Sequence, residues 1–188
     1  MSGNISNSLP IFFDIESHFG ARFPWPTITP FLLEENKVRT TLADQVQWLV
    51  DRALISDLLY GFARALDTKD FATYVANFAE DGYIELPQPS GGRFILRRVD
   101  MLEKVPGSLA RYSATHHMSS NHQIEINGDT ASSRSYLQAI HVGKKPTEHW
   151  DAGGWYDCTY VRSRDGWKFR HVKLTAVWLS GNSSDFSV

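Results

Sequence analysis

The second half of the chain consists of long β-type segments joined by tight-turn signals, and this arrangement limits the folds open to it. Four strands are predicted, over residues 113–126, 131–142, 155–164 and 167–179. Asn127-Gly128-Asp129 separates the first two and is a strong hairpin signal, and Asp165-Gly166 separates the last two. We therefore expect these strands to form a largely antiparallel sheet.

Helical patterns come before these strands. Residues 42–66 predict one helix with a single buried stripe, formed by Val46, Leu49, Val50, Ala53, Leu54, Leu58, Phe62 and Ala65. Further elements are a helix over residues 70–78 that stops at Asp81-Gly82, short strands over residues 83–86 and 93–97, and a helix over residues 99–111 interrupted at Pro106-Gly107. Helices followed by strands indicate an α+β domain, with the helices covering one face of a curved sheet.

The N-terminal segment differs from the rest of the chain. Residues 1–40 hold four of the eight prolines and show no clear period, but their aromatic residues argue against simple disorder. We expect an arm that packs along the domain or a neighbouring subunit; a lid over a pocket is the alternative. The predicted domain covers residues 41–181, and residues 182–188 form a tail.

Composition excludes several classes of protein. The 19 basic and 21 acidic residues give a net charge of -2, unlike the basic surface of a nucleic-acid binder. The single cysteine, Cys158, allows neither an intramolecular disulfide nor a cysteine-based zinc site. No signal peptide is recognisable and no apolar run is long enough to cross a bilayer, so we expect a cytoplasmic protein without membrane contact. The 13% aromatic content suits a pocket for apolar or aromatic ligands.

A set of short motifs carries a family resemblance. In chain order they are Ala65-Leu66-Asp67, Phe78-Ala79-Glu80-Asp81-Gly82, Thr115-His116-His117-Met118-Ser119-Ser120-Asn121, Asn127-Gly128-Asp129-Thr130-Ala131, Gly154-Trp155-Tyr156 and Arg164-Asp165-Gly166-Trp167-Lys168-Phe169. Over residues 42–181 the chain resembles the SnoaL-like branch of the nuclear-transport-factor-2-like superfamily. The resemblance implies an α+β cone whose helices and curved sheet enclose a central pocket. It also implies a homo-oligomer, a trimer more than a dimer.

Members of this branch include proteins similar to scytalone dehydratase, bile-acid 7α-dehydratase, hexachlorocyclohexane dehydrochlorinase and diarylpropane formaldehyde lyases. Several use an aspartate at the end of the first helix to orient a histidine on a central strand, and Asp67 and His117 match those positions. Strand alternation prevents His116 and His117 from facing the same side, and the family match selects His117. As an alternative to its catalytic role, Asp67 could be the N-cap of the second helix.

Four predicted substrate-binding residues are aromatic, and three of them are Tyr60, Phe62 and Trp178. Tyr60 precedes Asp67 by seven residues and shares its helical face, so it could hydrogen-bond a substrate oxygen or be a core tyrosine. Phe62 stands where some relatives have a tyrosine or lysine, which removes one familiar acid. Trp178 is expected in the core or in the pocket wall.

Four more candidates lie on the predicted strands. Asn121 lies four residues beyond His117 and shares its face if the strand is regular; it could bind the substrate or satisfy backbone groups. His141 could assist a leaving group, but a position at the pocket rim is favoured. Trp155 and Asp157 share one strand face, so Asp157 either contacts the substrate or is an outer-face carboxylate.

These residues predict a cofactor-free lyase. His117 would transfer a proton while a small, apolar, aromatic or cyclic substrate loses a hydroxyl, a halide or a carbonyl fragment. The alternatives are an isomerase or cyclase that uses the same pair, and a non-catalytic binding or assembly protein. The seven histidines show no recognised ligand spacing, so no metal site is predicted.

Overall fold

A long N-terminal helix opens the part of the chain that the computed structural model describes, which is residues 41–88, 91–145 and 147–181. Helix α1 (Leu42–Asp67) begins with a capping box. The Thr41 hydroxyl accepts a hydrogen bond from the Asp44 backbone N–H at 3.1 Å, and the Asp44 carboxylate accepts one from the Thr41 N–H. The predicted arm and tail lie outside the described residues, so their boundaries stay predictions.

The buried face of α1 differs from the predicted stripe. Val46, Leu49, Val50 and Leu54 are all at least 45% exposed, so the N-terminal half of the predicted stripe is wrong. The buried positions follow another line along the helix: Asp51, Ile55, Leu59, Phe62, Ala63, Ala65 and Leu66. A polar residue on this line explains the error. Asp51 is 2% exposed because Arg162 binds its carboxylate through two nitrogens, at 2.7 and 2.8 Å, and thereby fixes which side of the helix turns inward.

Short elements follow α1. They are α2 (Phe71–Ala76), β1 (Phe78–Pro87), β2 (Arg93–Arg97) and α3 (Arg98–Leu109). The expected stop at Asp81-Gly82 is wrong, because β1 already begins at Phe78 and contains both residues. A Cβ on Gly82 would lie 2.8 Å from the Ala79 carbonyl oxygen, so this glycine serves a close approach inside an irregular strand. The predicted interruption of α3 is also absent, since Pro106 lies within its last turns.

Four long strands complete the fold: β3 (Ala114–Asn127), β4 (Thr130–Val142), β5 (His149–Ser163) and β6 (Gly166–Gly181). The described strands form one sheet in the order β2-β1-β6-β5-β4-β3, and every pairing is antiparallel except β1 with β6. The α+β class and the β3–β4 hairpin are confirmed. Strand β5 starts six residues before its predicted beginning, because Gly154 allows close contact with β6: a Cβ there would lie 1.9 Å from the Thr175 carbonyl oxygen.

Aromatic side chains fill the space between the helices and the inner face of the sheet. Phe62 of α1 packs against Tyr74, Phe78, Tyr156 and Phe169, with ring centroids 5.1 to 6.0 Å apart. This core anchors α1 across the sheet and brings its C-terminal end beside β3, which forms one edge of the sheet. Among the described residues, no helix has both the length and the apolar character needed to cross a membrane.

Candidate active site

The end of α1 and the edge strand β3 bring Asp67 and His117 into contact. Asp67 Oδ1 lies 2.7 Å from His117 Nδ1, and Asp67 Oδ2 accepts a hydrogen bond from the His117 backbone N–H at 2.8 Å. The Thr115 hydroxyl also donates to Oδ1, at 2.9 Å. The carboxylate is therefore held by three donors, all from β3.

The charge state of Asp67 fixes the tautomer of His117. Burial raises the pKa of Asp67, but the hydrogen bonds from His117 and Thr115 outweigh it, so the pKa lies below the usual value for aspartate. An ionised carboxylate can only accept hydrogen bonds, so Nδ1 of His117 carries a proton. In the neutral ring this leaves a lone pair on Nε2. The His117 side chain is only 9% exposed, which limits competition from water.

The helix-capping alternative for Asp67 is wrong. Asp67 is the last residue of α1, and the N-cap of α2 is Asp70, whose carboxylate accepts a hydrogen bond from the Thr73 backbone N–H at 3.1 Å. Between the two carboxylates the chain turns through Lys69, which has a φ of 57°. This turn leaves Asp67 directed toward β3.

A cleft opens beside the Asp67–His117 pair, between α1 and β3. Its volume is about 390 Å³, within the range of about 300–1,000 Å³ that is typical of ligand sites. The lining residues are Tyr60, Ala63, Arg64, Asp67, His117, Met118, Ser119 and Ser120. The cleft thus combines apolar surface with a hydrogen-bonded carboxylate–imidazole pair, and it lies at the margin of the sheet.

Two of the predicted substrate-binding residues contact this region in different ways. Tyr60 lines the cleft together with Asp67, as their seven-residue spacing on one helix predicted. His141 is 6% exposed, so the favoured rim position is wrong; its ring lies 5.1 Å from that of His117, nearly perpendicular to it. His141 Nδ1 donates to the Trp150 carbonyl oxygen at 3.1 Å.

The other candidates lie away from the cleft. Phe62 is part of the aromatic core. Strand pairing puts His117 on the same face as Ala139 and Ala152, whereas Trp155, Asp157 and Trp178 lie on the opposite face. Asp157 forms a two-point ion pair with Arg134 there, at 2.7 and 3.0 Å, which agrees with the outer-face alternative.

Asn121 does not share the face of His117, because β3 is irregular. The pairing with β4 shifts between Ser120 and Gln123, and Asn121 has a φ of 53° and is exposed. At this shift β3 contains one residue more than β4, as in a β-bulge. The additional residue turns His122 inward, where its ring lies 5.0 Å from that of Tyr60. Ser119 lines the cleft and His122 packs behind it against Tyr60; neither was among the predicted site residues.

The buried His141 predicts a pH-dependent stability. The pKa of His141 is lowered to about 4 from a usual value of 6.5. Burial is the largest cause, and the nearby His117 ring is the second. Between these values the unfolded chain binds more protons than the folded chain, so stability falls as the pH falls. We expect a loss of about 2 kcal/mol between pH 7.5 and pH 5 from this group. Urea unfolding at the two pH values measures it.

The control is His141→Asn, which keeps a donor for the Trp150 carbonyl oxygen but does not titrate. Over the same pH interval, the free energy of unfolding of this variant should fall by about 2 kcal/mol less than that of the native protein. Equal losses in both proteins would contradict a neutral, buried His141.

Comparison with known proteins agrees with this architecture. The model of the SnoaL-like domain family matches residues 47–173. The chain belongs to this SnoaL-like family. An uncharacterised protein from Mycobacterium tuberculosis is 32% identical over 122 residues, which cover 63% of this chain and 80% of that protein.

Solved structures show the same SnoaL-like fold. A candidate scytalone dehydratase from Novosphingobium aromaticivorans has a TM-score of 0.66 and 23% identity, over 73% of this chain and 91% of that one. A hexachlorocyclohexane dehydrochlorinase has a TM-score of 0.61 and 16% identity, over 74% and 94%. At these identities the likeness shows the fold alone, which is the cystatin-like α+β fold of NTF2-like proteins.

Proposed function

We propose that the protein is a cofactor-independent lyase that acts on a small hydrophobic ring compound. The observation that carries this proposal is the 2.7 Å contact between His117 Nδ1 and Asp67 Oδ1 in the wall of a cleft of about 390 Å³. A SnoaL-like fold with dehydratase-like and dehydrochlorinase neighbours is compatible with small-molecule lyase or isomerase activity. The chemistry below is argued from the residues of the cleft.

The proposed reaction begins with proton abstraction by His117. The lone pair on Nε2 takes a proton from a substrate carbon, and Asp67 stabilises the imidazolium that forms. The electrons of the broken C–H bond form a C=C bond as the bond to a neighbouring hydroxyl or halide breaks. The imidazolium can then return its proton to a departing hydroxyl, which leaves as water; when a halide ion leaves, the imidazolium loses its proton to solvent water. In both cases His117 is neutral again.

The cleft favours this proton transfer over reaction with bulk water. Tyr60 and Ala63 supply apolar surface, and His117 is largely covered. In such a setting the attraction between Asp67 and a protonated His117 is stronger than it would be in water. The apolar walls suit a flat ring, and the His117 base suits a substrate whose leaving group lies next to an acidic C–H bond.

A product-mass experiment tests the proposal. The protein is incubated with a panel of small ring compounds that carry a hydroxyl or a halide beside an acidic C–H bond, and the product masses are measured by mass spectrometry. A lyase product is lighter than its substrate by water or by hydrogen halide. A product of unchanged mass would instead indicate an isomerase or cyclase, and no turnover across the panel would contradict a lyase for these substrates.

Asp67→Asn is a matched variant for this assay. The His117 backbone N–H needs an acceptor, so the amide oxygen is expected at the Oδ2 position and the NH₂ group at the Oδ1 position. The NH₂ group would then donate to His117 Nδ1 and move the ring proton to Nε2, which removes the basic lone pair. We expect the turnover rate to fall by about tenfold to a thousandfold. An unchanged rate would contradict the orienting role of Asp67.

A further inference from the structure

A chain of hydrogen bonds leads from α1 through β3 and ends in the sheet beside the cleft. His122 Nδ1 lies 3.0 Å from Ser56 Oγ, and His122 Nε2 lies 3.1 Å from Ser119 Oγ. Ser119 Oγ lies 3.0 Å from Ser135 Oγ, and Ser135 is 0% exposed. Ser119 also lines the cleft, two residues after His117. Ser119 is therefore the member of this hydrogen-bond chain whose hydroxyl can reach a ligand in the cleft.

His122 holds Ser119 without using up its hydrogen-bonding capacity. Burial lowers the pKa of His122, so the ring is neutral at pH 7 and has one donor and one acceptor nitrogen. Its two partners, Ser56 and Ser119, are hydroxyls and can take either role. Ser119 Oγ donates its proton to Ser135 Oγ, so His122 Nε2 donates to Ser119. One acceptor site then remains on Ser119 Oγ, and a ligand hydroxyl can donate to it.

The spacing of Ser119 and His117 limits what that ligand can be. Both residues lie on the same face of β3 before its irregular segment, so their side chains are about 7 Å apart along the strand. This is comparable to the length of a six-membered ring with a substituent at each end. Tyr60, whose ring packs against that of His122 at a tilt of 37°, lines the cleft and offers an aromatic wall for such a ring.

We propose that Ser119, held by His122, binds an oxygen substituent on the far side of the substrate ring from the carbon at which His117 acts. The inference rests on the proposed function for its orientation and deepens it, because it assigns the substrate to hydroxylated ring compounds such as phenols. Ser119 contacts the substrate, and His122 is a positioning residue. Ser56 completes the support by occupying the second nitrogen of His122.

Binding of a matched ligand pair tests this subsite separately from catalysis. The probes are acetophenone and its para-hydroxy derivative, which differ by one hydroxyl group on the ring. Their dissociation constants are measured by ligand-observed NMR. We expect the native protein to bind the hydroxylated member about three- to tenfold more tightly. Ser119→Ala should bind both members equally, with the affinity for acetophenone unchanged.

Two His122 variants separate positioning from simple loss of packing. His122→Gln can place an amide near the Nε2 position and keep a partner for Ser119, whereas His122→Asn reaches only the Nδ1 position and keeps a partner for Ser56. We expect His122→Gln to retain most of the preference and His122→Asn to lose it. Thermal melting checks that each variant is folded, and equal behaviour of the two variants would overturn the positioning role.

The outcomes distinguish this inference from the proposed function. A native protein without the preference, or a Ser119→Ala variant that keeps it, overturns the oxygen subsite and leaves proton transfer by His117 standing. A His117→Ala variant that retains both turnover and the ligand preference overturns the proposed lyase mechanism while the oxygen subsite stands. Loss of turnover in His117→Ala with the preference retained supports both.

Discussion

Replacement of His117 by alanine is expected to lower the turnover rate by about a hundred- to ten-thousandfold. The variant loses the only imidazole that both lines the cleft and contacts Asp67 among the described residues. The fold should persist, because Asp67 keeps the Thr115 hydroxyl and the backbone N–H of residue 117 as donors. The rate is measured with the compound of the substrate panel that the native protein converts fastest.

The neighbouring histidine provides the matched control. His116 is exposed and points to the other face of β3, so His116→Ala removes an imidazole one residue away without touching the cleft. Its rate should equal that of the native protein. Added imidazole should partly restore turnover in His117→Ala, since it can enter the vacated space and accept the proton. A His117→Ala variant with the native rate would exclude His117 as the base.

Strand alternation and helix spacing were enough to predict parts of the local geometry around the candidate site. The turn signals predicted the β3–β4 hairpin, and alternation required His116 and His117 to face opposite sides. The seven-residue spacing of Tyr60 and Asp67 correctly predicted that both would line one surface. These inferences depend on local geometry alone, which is why a single sequence could support them. The choice of His117, by contrast, came from the family resemblance.

The directions in which Asn121 and His122 point depend on an irregularity in β3, which regular strand alternation cannot predict. If β3 were regular, His117 and Asn121 would share a face and His122 would point outward. A signal was nevertheless present: Ile124 is an apolar residue at an even position, whereas His117 is at an odd one, and both are inward. One extra residue must therefore lie between them, and asparagine tolerates the positive φ that such a residue can adopt.

The inward face of α1 also could not be predicted from its apolar period. Apolar residues occur all round the N-terminal half of this helix, so hydrophobicity alone does not select the buried side. The selection depends on the pair of Asp51 with Arg162, residues 111 positions apart in the chain. Only the folded hairpin of β5 and β6 brings that arginine to the helix.

This ion pair leads to the second large effect, a loss of stability in Arg162→Met. Asp51 is 2% exposed, and the Arg162 guanidinium holds its pKa below the usual range despite burial. Without the guanidinium the buried carboxylate keeps a hydrogen bond from Trp167 Nε1, at 3.0 Å, but loses its counter-charge. We expect the free energy of unfolding at pH 7 to fall by about 3–5 kcal/mol, as measured by urea unfolding.

The partner variant should cost less, because the pair is asymmetric. Asp51→Ala leaves Arg162 partly exposed and still bound to Asp129 at 2.9 Å, so a loss of about 1–3 kcal/mol is expected. Arg134→Met, which breaks the more exposed pair with Asp157, should cost at most about 1 kcal/mol.

The pH dependence then identifies the cause. In Arg162→Met, burial without the guanidinium should raise the pKa of Asp51, so the folded protein binds a proton more readily than the unfolded chain and the deficit shrinks as the pH falls. A deficit that stays constant between pH 7 and pH 4 would mean that lost packing, rather than an unpaired buried charge, explains the instability.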